Sequence, residues 1–236
     1  MKLSVHRLTC ALVLTLVCAT SALADSAKSK IGVIGSGSLG GTVGRAWVKA
    51  GHQVMFSSRH PEELRAEITA LGPLASVGTP KEAARFGQVI LVALPYSAIP
   101  AIGRDLADDM RGKVVIDASN PTFMDGKLMR EATQDGVGAT SARLLPGTRL
   151  VRGFSAVNAT AIDASANGRR TPLAIPIASD DAGALKVATQ LVRDAGSVPV
   201  VTGNLASSRV FEDGTPIDQA DTDEATLRKM LNLHAK

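Results

Sequence analysis

Ile31-Gly32-Val33-Ile34-Gly35-Ser36-Gly37-Ser38-Leu39-Gly40 is the stretch that decides the fold. Ile31 to Ile34 form a short apolar run, the pattern of a strand buried on both faces of a parallel sheet. Gly35 permits a tight turn, Gly37 lets the backbone approach a pyrophosphate with no Cβ in the way, and Gly40 lets the following helix pack against the strand. Val43, Trp47 and Ala50 continue one apolar helix face, and Gly51 stands where a helix ends. Gln53 to Phe56 then read as a second strand. Glycines alone could be only a turn. Set between a strand and a helix, with a second strand after it, the run predicts a dinucleotide site with phosphates at the helix N-terminus.

The end of the second strand chooses between cofactors. An acid there would accept hydrogen bonds from the ribose hydroxyls of NAD and repel the 2′-phosphate of NADP. This chain has Ser57, Ser58 and Arg59, two hydroxyls and a planar guanidinium suited to a phosphate. The expected cofactor is therefore NADP(H). A solvated arginine after a strand end is the plainer alternative.

Downstream, Pro61 to Leu71 reads as a helix, and Thr79-Pro80-Lys81-Glu82 carries the signature of a capped helix start. Val89 to Leu94 is a buried strand that ends at Pro95, which cannot extend a hydrogen-bond ladder. Ala98 to Met110 reads as a helix and Val114 to Asp117 as a strand leading to Ser119-Asn120-Pro121. Residues 122 to 139 mix glycine and charge with little period and are expected to form a mobile loop. Leu150 to Phe154, Leu173 to Ala178 and Val198 to Val201 complete the strands, with a helix from about Asp180 to Ala195 between the last two. The alternation predicts an α/β, Rossmann-like doubly wound, mostly parallel sheet with helices on both faces. Ligand should cross the carboxyl ends of its strands, at the loops after Ile34, Phe56, Leu94 and Asp117.

Residues 1–24 have the pattern of a secretory signal peptide: Lys2 and Arg7, an apolar run from Leu8 to Ala19, then Ala22-Leu23-Ala24. A mature chain beginning near Asp25 would be periplasmic or secreted. If the working start lies near Lys28, it would be cytoplasmic. The apolar run is short for a membrane span, so no stable membrane anchor is expected. Both cysteines, Cys10 and Cys18, lie in this segment, which removes thiol catalysis, disulfides and cysteine-metal sites from the mature chain. Cleavage would lower the formal net charge from +4 to +2, and aromatics make up only 3% of the chain, so nucleic acid is not an expected partner. Residues 25–212 are read as one NADP-binding domain and 213–236 as a tail with a short helix from Glu224 to Leu233. That helix would serve in packing or in a homodimer contact.

Taken together, the chain resembles the F420-dependent NADP oxidoreductases and the related NADPH-binding domain of six-transmembrane metalloreductases. The resemblance runs from about Lys30 to Glu212. It is carried by Gly35 to Gly40, Gly51-His52, Ser58-Arg59, Leu94-Pro95-Tyr96, Asn120-Pro121, Leu145-Pro146-Gly147 with the strand through Phe154, and Gly203 to Glu212. It implies that Ser36, Ser38 and Leu39 line the pyrophosphate, Ser58 and Arg59 the 2′-phosphate, and Leu94 and Pro95 the nicotinamide half, with Asn120 nearby. Pro95 and Asn120 also serve as strand-ending turn residues. Some relatives place a lysine where this chain has Glu62 and Glu63, relatives often have Asn or His at Ser155, and the tail after Glu212 does not match.

The reaction implied is hydride transfer between NADPH and a small-molecule acceptor, a flavin or F420-type deazaflavin. Stacking two rings at reacting distance can suffice, with no strong protein acid or base. No catalytic residue is assigned on this basis, and no metal site. Asp117 and Tyr96 are the remaining proton-transfer candidates. His52 is read as a helix-to-strand turn residue and His60 could contact adenine or phosphate, with surface exposure expected of both. A non-catalytic NADP-binding or sensor protein is the alternative from a different class, since free cofactor is scarce outside the cytoplasm.

Overall fold

The computed structural model describes residues 28–122 and 125–233. The proposed signal segment lies outside them. Apolar residues alternate between two cores along every central strand, which is what places helices on both faces of the sheet. In β1 (Lys30–Ile34), Ile31 and Val33 face one core and Ile34 the other. Val89 and Leu91 of β4 (Val89–Val92) face the first core, and Ile90 and Val92 the second. β5 (Val114–Asp117) divides Ile116 from Val115 in the same way. Successive side chains on a strand point to opposite sides, so a continuous apolar run can be wet on neither.

The first core is roofed by α1 (Ser38–Lys49), α8 (Ala159–Ala166) and α9 (Ala182–Asp194), with Ile68 of α2 (Pro61–Thr69) at its margin. The second lies under α3 (Pro80–Phe86), α4 (Ile99–Asp105), α5 (Ala107–Met110), α6 (Gly126–Asp135) and α7 (Val137–Leu144). A third, smaller cluster joins Phe211, Ile217 and Leu227 of α10 (Glu224–Met230) to Ala174, Ala178 and Val200.

With β2 (Gln53–Ser57), β3 (Ala75–Gly78), β6 (Arg149–Arg152), β7 (Ala174–Ala178) and β8 (Val198–Gly203), the sheet has eight strands in the order β3-β2-β1-β4-β5-β6-β7-β8. Its pairs are parallel except β6 with β7, which meet antiparallel through Arg152 and Ala178. The chain thus has the expected α/β, doubly wound fold. The order reverses at β1, where β2 lies to one side and β4 to the other, the position at which such sheets open a ligand crevice.

Several local expectations need correction. The mobile loop expected over 122–139 holds two helices, α6 and α7. Gly136 joins them at φ +90, a conformation glycine adopts without a Cβ penalty. From the Gly203–Glu212 segment, Arg209 donates to the carbonyls of Thr133 and Gln134, and Glu212 accepts from Val137 N–H at 2.8 Å. The two residues thereby cap the helices that meet there. His52 is buried, not exposed. Its Nδ1 accepts from Ser29 N–H at 3.0 Å, so Nε2 carries the proton and donates to Asp194 Oδ2 at 2.8 Å. β3 and α8 form where the sequence pattern predicts neither strand nor helix.

Candidate functional site

The loops after β1, β2 and β4 enclose a cleft of about 600 Å³ at the carboxyl edge of the sheet. Gly35, Ser36, Gly37, Ser57, Ser58, Arg59, Leu94 and Pro95 all line it, together with Leu64, Pro80, Ser97, Ala98, Ala101 and Ile102. Of the sequence-expected residues, Ser38, Leu39, Gly40 and Asn120 lie outside that lining.

Gly35, Gly37 and Gly40 are glycines for different reasons. A Cβ on Gly35 would stand 2.4 Å from the carbonyl oxygen of Ala93, and one on Gly40 would stand 2.1 Å from that of Gly35. Both are therefore required by the protein's own packing. Gly37 has φ −72, and a Cβ on it would meet nothing within 4 Å. Nothing among the described residues demands glycine there, and Gly37 is one of the residues that line the cleft. The absent Cβ leaves room for a group from outside the protein.

That group meets the start of α1. Gly41 N–H makes the first helical bond, to Gly37 O at 2.8 Å. No side chain caps the helix, and no acid lies in its first turn. The amides ahead of Gly41 and the positive end of the helix dipole are thus left to an anion. The loop itself is held by a reciprocal pair: Ser36 N–H donates to Ser57 O at 3.2 Å, and Ser57 N–H donates to Ser36 Oγ at 2.9 Å.

At the other end of the cleft, Arg59 is exposed and forms no ion pair among the described residues. Ser58 Oγ accepts from His60 N–H at 3.1 Å and keeps its own hydrogen to give. Ser57 differs from the sequence reading. It is fully buried, and its hydroxyl is spent on Val33 O at 2.8 Å, so it shapes the cleft but offers no donor to a phosphate. Exposed His60, Glu62 and Glu63 bring possible ligand atoms within 4.8 Å of one another beside Arg59. None of the three lines the cleft, and the two glutamates place negative charge near it.

Next to this crevice, the ends of β5 and β6 form a buried polar knot. Asp117 accepts from Arg152 Nη1 at 2.7 Å through Oδ2, and from Ser119 N–H and Oγ–H through Oδ1. Its carboxylate is fully buried and accepts three hydrogen bonds, which places it poorly for proton transfer. Asn120 donates from Nδ2 to Ser155 O at 2.7 Å and accepts from Arg152 Nη2 at 3.0 Å. The Tyr96 hydroxyl lies 3.1 Å from Ser141 Oγ, and burial, reinforced by the charge of Asp117, pushes its pKa up to about 12. Tyr96 is therefore a neutral hydroxyl in ordinary conditions. Sequence reasoning missed Arg152. The signal was an arginine inside an apolar strand, next to a strand that ends in aspartate.

A smaller hollow of about 180 Å³ opens beyond Pro121, lined by Met129, Thr133, Val137, Arg209 and Glu212. It joins the Asn120-Pro121 turn to the Gly203–Glu212 segment.

Residues 30–121, from β1 to this turn, match the family model described as NADP oxidoreductase coenzyme F420-dependent. Over 204 residues the chain is 31% identical to the F420-dependent NADP reductase of Methanothermobacter marburgensis, covering 80% of this chain and 90% of that one. It is 30% identical over 203 residues to metalloreductase STEAP3 of Rattus norvegicus, covering 84% of this chain but only 39% of the relative. The chain thus spans about two fifths of that metalloreductase. A solved structure from Sinorhizobium meliloti, described as a hypothetical protein, superposes with a TM-score of 0.71 at 22% identity, over 84% of this chain and 96% of that one.

Proposed function

The chain belongs to the F420-dependent NADP reductase family, and from that premise we propose that it is an NADP(H)-dependent oxidoreductase exchanging hydride with a flavin or an F420-type deazaflavin. The observation that carries this is Gly37: a glycine the protein does not itself require, open to a cleft between an uncapped helix start and a free arginine. The backbone of Ser36 to Gly40 would hold the pyrophosphate, Ser58 and Arg59 the 2′-phosphate, and Leu94 and Pro95 the nicotinamide half. Once bound, the cofactor supplies the hydride.

The chain's own part is positioning. Leu94 contributes an apolar wall on one side of the cleft, and the Gly35 turn packs against it, 2.7 Å separating a Cβ at that position from Leu94 Cδ2. That contact fixes the Gly35 turn against Leu94, so the two line the cleft together. Asp117 and Tyr96 are tied up in hydrogen bonds, which suits a transfer needing no protein proton donor.

The purified chain mixed with NADPH and separately offered F420, FMN, FAD and a ferric chelate tests the reading. Oxidation with one of the ring acceptors is expected. Tight NADPH binding with no oxidation by any acceptor would instead make the chain a non-catalytic cofactor-binding protein. The pattern of residues 1–24 supports export, and N-terminal sequencing of the native protein would test that placement.

A further inference from the structure

Arg152 is wholly buried, and every acceptor it uses lies on one short turn: Asp117 O and Oδ2, Ser119 O at 2.8 Å, and Asn120 Oδ1. Its Nε has no partner among the described residues. A buried ion pair roughly breaks even against an apolar pair of the same size, and an unpaired buried N–H adds a cost. Stability alone is therefore a poor reason for Arg152 to be there. Geometry gives a better one. A guanidinium can only donate and the Ser155 carbonyl can only accept, so the Asn120 amide, set between them, has one permitted orientation. Among the described residues, one amide hydrogen and one lone pair of Oδ1 remain uncommitted.

The second support of that amide is itself held in a costly conformation. Phe154 has φ +62, a region side chains rarely adopt, and it delivers the Ser155 carbonyl to Asn120. Asn120 is half-buried on the carboxyl edge, and Ala118 N–H ties its turn to Val92 O beside Leu94 and Pro95. From β2, which ends at Arg59, to β5 is three strand spacings, about 14 Å along that edge. A dinucleotide anchored at Arg59 would extend its nicotinamide end toward Asn120.

We propose that Arg152 is a positioning residue for the nicotinamide half: through Asn120, which it orients without touching the cofactor, it presents a fixed amide to the nicotinamide carboxamide. This rests on the reading of the cleft as an NADP(H) site. The test compares two ligands by calorimetry, NADPH and adenosine 2′,5′-bisphosphate, which keeps the 2′-phosphate end and lacks the nicotinamide. Arg152→Lys keeps the charge beside Asp117 but loses the fork. It should weaken NADPH roughly tenfold or more while leaving the bisphosphate unchanged. Asn120→Ala should match that loss and add little to it in the double variant. If the lysine variant does not fold, Asp117→Asn combined with Arg152→Met removes the guanidinium without stranding a charge, and the same selective loss is expected. Equal weakening of both ligands, no weakening of either, or additive losses would overturn the role of Arg152. Failure of the wild-type chain to bind the bisphosphate would overturn the dinucleotide reading beneath it.

Discussion

Trp47 and Phe154 meet edge to face, their ring centroids 5.9 Å apart and their planes at 85°. The contact joins the two halves of the candidate site. Trp47 stands on the helix whose start faces the cleft, and Phe154 carries the strained turn that leads to Ser155. Trp47 Nε1 also donates to Leu191 O at 2.8 Å, tying α1 to α9.

Phe154→Ala should therefore lower stability by about 3–5 kcal/mol, the range for removing a buried aromatic ring. Urea unfolding followed by the fluorescence of Trp47, the chain's single tryptophan, measures this directly. An unchanged midpoint would show that the ring pair is not part of the core.

Gly37 and Gly40 should separate binding from folding. Alanine at Gly37 meets open space but caps α1 less well than glycine, so its melting temperature without ligand should fall only slightly. Its Cβ would occupy the approach of a pyrophosphate, so the stabilisation given by added NADPH should shrink. Alanine at Gly40 would collide with backbone at 2.1 Å and should cost roughly 1–3 kcal/mol with or without ligand. Thermal melts with and without NADPH distinguish the two. A Gly37→Ala protein that is normally stabilised by NADPH would remove the main support for the cofactor site.

Legibility in the sequence followed local contrast. β1, β4 and β5 are apolar runs with clear ends, and the Thr79–Glu82 capping box is present as read, Thr79 Oγ1 accepting from Glu82 N–H at 3.3 Å. β3 reads Ala-Ser-Val-Gly on the sheet edge, half-exposed, with too little apolar pattern to announce a strand. α8, built of Ala, Thr, Ser, Ile and Asp, lacks a sharp polar face. The glycines of 122–139 suggested a loop because glycine marks helix ends as well as loops. Gly136 sits between two helices, and Gly138 lies inside one where Leu205 O would stand 2.6 Å from a Cβ. The antiparallel placement of β7 depends on how the chain crosses after Phe154, which no residue pattern encodes.

Tyr96 supplies a pH dependence on the alkaline side. Burial raises its folded pKa to about 12, against an ordinary value of 10.0. Between those values the folded state holds a proton that the unfolded chain releases, so stability falls as pH rises. It is fully present below pH 10.0 and should decline toward pH 12, by on the order of 2 kcal/mol. Tyr96→Phe should flatten that decline and lower stability at neutral pH by about 1 kcal/mol through the lost Ser141 contact. Urea unfolding at stepped pH checks both. Tyr96 is the chain's single tyrosine, so ultraviolet absorbance reads its ionisation without interference from another. An alkaline slope shared by wild type and variant would assign the effect to other groups.

The candidate site was legible where backbone chemistry makes it. A glycine turn before a helix has a sequence signature, and Gly35, Gly37 and Arg59 lie together in the cleft. Side-chain direction was not legible. Ser57 and Ser58 are adjacent hydroxyls, yet alternation along β2 turns the first inward to Val33 O and leaves the second at the cleft. Asp117 and Arg152 stand 35 residues apart and become partners only because β5 and β6 pair in that register.

Arg59 should decide which cofactor the chain prefers. Its guanidinium is exposed, has no carboxylate partner among the described residues, and shares the cleft with Ser58. Arg59→Ala should cost NADPH roughly 10- to 100-fold in affinity, the worth of one or two charge-assisted hydrogen bonds, with little effect on NADH. Glu62 and Glu63 act in the opposite sense. They lie in the first turn of α2 beside His60, where their charge repels a 2′-phosphate. Glu62→Gln with Glu63→Gln should tighten NADPH and leave NADH unchanged, more strongly at low ionic strength because exposed charges are screened by salt. Dissociation constants for both cofactors, measured on the three proteins at two salt concentrations, give the comparison. An Arg59→Ala protein that loses NADPH and NADH affinity equally would mean that Arg59 supports the shape of the cleft and does not read the phosphate.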